Sequence, residues 1–89
     1  MFALGLDFET TGVDPRKDDI IEVGAVVWDI ESKKPAAIYS DLIPADKPLS
    51  FEVMNVTGLT DDDLRRWGQP LEHVLKKLSN LATKCQYIV

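Results

Sequence analysis

The chain of 89 residues has one cysteine, one histidine and no apolar run approaching the roughly 20 residues that cross a bilayer. A membrane-spanning role is thereby excluded. Cys85 alone cannot close an internal disulfide, and nothing points to an oxidising compartment. No secretory leader is visible either, because Met1 is followed by Phe-Ala-Leu-Gly-Leu-Asp, without a basic flank and with an early acid. A cytoplasmic protein is the expectation. Base is also scarce: 10 basic residues stand against 15 acidic ones, for a net charge of −5. A protein that holds nucleic acid mainly by neutralising phosphates should be basic, so charge alone argues against that mode. Repeats, low-complexity tracts and flexible linkers are absent. The 45% hydrophobic content suits one small globular domain, or part of one.

The acids are unevenly spread. Residues 1–31 hold eight of the 15, against only Arg16 and Lys17. Such a cluster is either a solvated rim or a cation site.

Phe2 to Phe8 alternates Phe2, Leu4, Leu6 and Phe8 on one face with Ala3, Gly5 and Asp7 on the other, the period of a strand. Thr10 to Pro15 is a loop punctuated by Gly12 and Pro15. Ile20 to Trp28 is rich in Ile and Val and predicts a second, largely buried strand. Glu31 to Pro35 fits a hairpin loop, and Ala36 to Ile43 a third strand stopped by Pro44. Phe51 to Val56 suits a short helical turn, and Thr60 an N-cap ahead of Asp61, Asp62 and Asp63. From Pro70 at an early helical position, Leu71, Val74, Leu75, Leu78, Leu81 and Ala82 form one apolar stripe. Tyr87-Ile88-Val89 begins another strand, expected to run parallel to an earlier one after the helical crossover. The fold class is α/β, and ligands in such sheets gather beyond the carboxyl ends of the strands.

Asp7 and Glu9 lie at that end of the first strand. Two positions apart on extended backbone, their side chains share a face, with Cα atoms roughly 6.5–7 Å apart. Both carboxylates can therefore reach one hard divalent ion, which also relieves their mutual repulsion.

The run Leu6-Asp7-Phe8-Glu9-Thr10-Thr11-Gly12, followed by Ile20-Ile21-Glu22-Val23-Gly24-Ala25-Val26, resembles the first motif and second strand of the DEDD (DnaQ-like) 3′-to-5′ exonucleases. That family includes the proofreading subunit of bacterial replicative DNA polymerase. Val56-Thr57-Gly58-Leu59-Thr60 resembles the family's later glycine-containing loop, and Gly68-Gln69-Pro70 with the Leu-rich helix the next element. The resemblance implies an RNase-H-like sheet of order 3-2-1-4-5, three antiparallel strands followed by helices. This chain would form the N-terminal part of a single exonuclease domain, stopping just after the fourth strand begins. Asp7 and Glu9 would bind the catalytic Mg²⁺ or Mn²⁺, two ions in the complete family site, for hydrolysis of a terminal phosphodiester. The partner would be the 3′ end of single-stranded DNA or RNA, with a polymerase subunit as a further candidate. An acidic chain can fill that role, because the metals hold much of the substrate.

By the same resemblance, Thr10 and Thr11 fall where the family approaches the terminal nucleotide, although their hydroxyls would equally well satisfy the turn. Val13 falls where it would contact the terminal sugar or base, or else tuck on the core. Thr57 takes a position where many relatives carry a histidine near the terminal base. His73, the lone histidine, sits in the amphipathic helix away from the strand ends and is read as a helix-surface residue. Glu22 is read as structural.

The family's remaining two acids and its general base belong to later motifs, so the 89-residue chain by itself is expected to be inactive. A non-catalytic interaction or assembly module is the alternative. The open edge of the last strand is expected to be covered by a second copy or by a C-terminal fragment. A remote alternative reads Asp7, Glu9, Thr11, Gly12 and Asp18 as a calcium-binding EF-hand loop, which requires flanking helices.

Overall fold

The computed structural model describes all 89 residues, Met1–Val89. Three strands come first: β1 (Phe2–Thr10), β2 (Ile20–Asp29) and β3 (Lys34–Leu42). The helices α1 (Phe51–Thr57), α2 (Asp61–Trp67) and α3 (Leu71–Ala82) follow, and then β4 (Tyr87–Ile88). The sheet order is β3-β2-β1-β4, with the first three strands antiparallel and β4 parallel to β1. The right half of that pairing closes through Phe2 O, which accepts from Gln86 N–H at 2.9 Å, and Leu4 O, which accepts from Val89 N–H at 2.8 Å.

Alternation decides what the sheet buries. Leu4 pairs with Val27, Leu6 with Ala25 and Phe8 with Val23, all on one face. Leu4, Ile21, Val23, Ala25 and Val27 on that side are buried against the helices, joined by Leu64 from α2 and Val74 from α3. Of their even-numbered neighbours in β2, Ile20, Glu22, Gly24 and Val26 are only half-buried and Trp28 is exposed. The largely buried second strand expected from its Ile and Val content is thus buried on one face and only partly covered on the other. All three helices pack on that side, while Ile38 on the other is 76% exposed.

Two further expectations shift. The third strand starts at Lys34 rather than Ala36, because Pro35 is tolerated where β3 is an edge strand and the ladder is irregular between Val27 and Trp28. The α3 stripe is only partly buried. Val74 is fully enclosed and Leu78, Leu81 and Ala82 pack on the core, but Leu71 and Leu75 are exposed. A single helix lying on a sheet meets it along a line narrower than its apolar stripe. Pro70 is the N-cap of α3 rather than a residue inside it.

The short helices are held by their ends. Ser50 caps α1 by accepting from Val53 N–H, and Gly58 ends it at φ 74°, a left-handed conformation that glycine adopts without a Cβ penalty. Thr60 and Asp63 form a reciprocal capping box on α2. These caps fix the ends of both short helices.

Candidate active site

Asp7 and Glu9 sit on the uncovered face of β1, opposite Gly24 and Glu22 of β2. Asp7 is exposed and Glu9 half-buried. The four ion pairs of the chain engage Glu31, Asp14 and Asp62, so no base neutralises either carboxylate. Glu22 is expected to be structural, yet the register places it directly across from Glu9, on the same face. Like charges opposite each other on adjacent strands repel, and here that cost is borne at a strand end. The small Gly24 opposite Asp7 leaves the approach to that carboxylate open.

Beyond Glu9 the chain turns into the loop of residues 11–19. A hollow of about 440 Å³ lies between this turn and α1. Its walls bring together Glu9, Thr10, Thr11 and Val13 with Thr57, which is 44 residues away along the chain. Asp7 is the one candidate residue outside it, bordering an open apolar depression on the sheet face beside Gly24 and Val26.

The hydroxyls of the hollow are spent locally. Thr10 Oγ1 donates to Gly12 O at 2.7 Å. Thr11 Oγ1 donates to Asp18 Oδ1 at 3.2 Å and accepts from Asp19 N–H at 2.8 Å. Thr57 Oγ1 donates to Val53 O at 2.8 Å and accepts from Leu59 N–H, closing the end of α1. Val13 is fully solvent-exposed at the lip rather than tucked on the core.

Sequence reasoning missed Phe8, Val53 and Val56 as further walls of the hollow. Alternation puts Phe8 on the packed face, but at 43% exposure it runs past the cover of the helices. A signal for the others existed: Phe51, Val53, Met54 and Val56 are more apolar residues than one face of a seven-residue helix can bury. Phe51 and Val56 indeed stay exposed.

The EF-hand alternative fails on this geometry, since Asp7 and Glu9 lie within β1 and the loop leads into β2, with no helix on either side.

No set of three or more His, Cys, Asp or Glu side chains converges closely enough to cage an ion. Asp7 and Glu9 are nevertheless a fitting donor pair for a hard divalent ion: two unpaired oxygen ligands on one face, with open space for water.

A family model described as exonuclease, RNase T, matches residues 4–89. The chain belongs to this exonuclease family. Among relatives, the PolC-type DNA polymerase III of Thermotoga maritima is 40% identical over 70 residues, 79% of this chain and 5% of the relative. The DNA polymerase III subunit epsilon of Treponema pallidum is 41% identical over 58 residues, 65% of this chain and 26% of that subunit. The chain spans a small part of the length of the curated relatives it matches. Two solved structures share its fold. One is E. coli exonuclease I in complex with a dT13 oligonucleotide, with a TM-score of 0.81 at 21% identity, covering 98% of this chain and 19% of that one. The other is the nuclease domain of 3′hExo, a DEDDh family member bound to rAMP, with a TM-score of 0.80 at 23% identity, covering 98% of this chain and 50% of that one. The RNase-H-like α/β architecture implied by the Asp-Phe-Glu-Thr-Thr-Gly run is therefore the fold observed.

Proposed function

We propose that the chain carries the metal-binding strand and 3′-end pocket of a 3′-to-5′ exonuclease acting on DNA or RNA, in proofreading or processing. The observation that carries this reading is the gathering of Glu9, Thr10, Thr11, Val13 and Thr57 around one hollow, next to the acid-bearing end of β1. In that hollow Phe8, Val13 and Val56 present apolar surface for a base or sugar. With the threonine hydroxyls engaged locally, Thr10, Thr11 and Thr57 act through backbone groups and shape.

Asp7 and Glu9 would hold Mg²⁺ or Mn²⁺. When bound, such ions activate water and stabilise the charge that develops at the phosphodiester. The residues of this chain place the terminal nucleotide against that charge and leave the strand end open to it. Two carboxylates do not complete a two-metal site, so catalysis by that route needs further ligands and a general base besides Asp7 and Glu9. The match to 50% of a nuclease-domain chain of the same fold supports reading the 89 residues as part of a single domain. The names of the relatives support a polymerase-associated setting. The same shortage of ligands favours, as the second reading, a non-catalytic module that binds or assembles.

Titration calorimetry with Mn²⁺ and incubation with a 3′-labelled single strand test the proposal. Weak Mn²⁺ binding that disappears in Asp7→Asn is expected, with no shortening of the strand by the chain alone. Absence of Mn²⁺ binding, or binding untouched by Asp7→Asn, rules out the metal-site assignment. Asp7-dependent shortening would show that the 89 residues suffice for catalysis and would overturn the expected inactivity.

A further inference from the structure

We infer that Asp18 is a positioning residue, whose carboxylate clamps the loop after β1 so that Val13 stands at the lip of the hollow. Val13 has no packing partner in the free protein, yet the backbone that presents it is tied at several points. Asp18 Oδ2 accepts from Asp14 N–H at 2.8 Å, and Asp18 Oδ1 accepts from the Thr11 hydroxyl at 3.2 Å. Asp18 N–H donates back to Asp14 O at 2.8 Å. Its neighbour completes the tie: Thr11 N–H donates to Asp19 O at 2.9 Å, and Asp19 N–H donates to Thr11 Oγ1 at 2.8 Å. One side chain therefore spans both sides of Val13. Hydrogen bonds to a charged acceptor are stronger than neutral ones, which suits a loop that gains nothing from burial.

Gly12 is the counterpart of this clamp. A Cβ at that position would lie 2.5 Å from Asp18 Oδ2 and 2.7 Å from its Cγ. The carboxylate is a movable group, but moving it breaks the bonds to Asp14 and Thr11. Gly12 is thus glycine because the Asp18 carboxylate occupies the space of its side chain.

The inference rests on the hollow being the nucleic-acid site, and its test separates the two. Affinity for a 5′-fluorescein thymidine oligonucleotide is measured by anisotropy with Mn²⁺, together with amide hydrogen exchange by NMR on the full chain. Asp18→Ala is expected to weaken binding about tenfold through misplacement of the lip. Asp18→Asn, which keeps one acceptor oxygen, should fall between it and the unsubstituted chain. Gly12→Ala should match Asp18→Ala, and the double variant should be no worse than either, because the clash vanishes with the carboxylate. Exchange at Asp14 and Asp19 should quicken while β1 and β2 remain protected. Additive losses from Gly12→Ala and Asp18→Ala, unchanged affinity in Asp18→Ala, or loss of protection throughout the strands would each overturn the clamp. Failure of the unsubstituted chain to bind oligonucleotide overturns the site reading instead, and the exchange pattern then decides the clamp by itself.

Discussion

The two faces of the sheet are built from the same strands and have opposite compositions. On the helix side stand Leu4, Val23, Ala25 and Val27, each 8% exposed or less. On the other side the same strands carry Gly5, Asp7 and Glu9 in β1, Glu22, Gly24 and Val26 in β2, and Ile38 in β3, which is 76% exposed. Because the side-chain period is two, β1 supplies packing at even positions and carboxylates at odd ones, without either disturbing the other. The covered face holds the backbone rigid, and the open face displays the carboxylates on it.

Substitutions can break this contrast. Leu4→Ala removes a fully buried side chain and should cost about 3 kcal/mol in urea unfolding, whereas Ile38→Ala on the open face should stay within about 0.5 kcal/mol. Similar losses at the two positions would mean that the open face is covered in solution. A smaller effect concerns α2, which delivers Leu64 to the core. Thr60→Ala removes one half of the capping box and should lower stability by about 1 kcal/mol, read by the same unfolding curve.

The smallest effect is one of pH. Tyr39 of β3, paired in register with Ala25 on the covered side, is pushed up to about 12 from its usual 10.0. Burial is the main cause, followed by its hydrogen bond to Asp41 at 2.8 Å and that carboxylate's charge. The Lys77 ammonium lies 5.5 Å from the ring centroid, tying α3 to the same side chain. Because the phenolate forms more easily in the unfolded chain, this contribution is fully present below pH 10.0 and is lost as pH rises towards about 12. Tyr39→Phe should flatten that part of the stability profile. An unchanged profile would place the alkaline loss elsewhere.

The strands and helices were legible because period and capping are local. Alternation in Phe2 to Phe8, the Thr60 cap and the stripe around Val74 each depend on residues a few positions apart. The carboxylate pair was legible for the same reason: a spacing of two on a strand already puts Asp7 and Glu9 on one face. What neighbours along the chain could not reveal was which side each strand would cover, since β2 is apolar enough to suit burial on both. That follows from how many elements pack on the sheet. Nor could local pattern show that Thr57 would face Val13, that Glu22 would oppose Glu9, or that the Asp18 carboxylate would fill the place of a Gly12 side chain. Those juxtapositions are long-range consequences of register and loop closure, and arise only when β1, β2 and α1 are brought together.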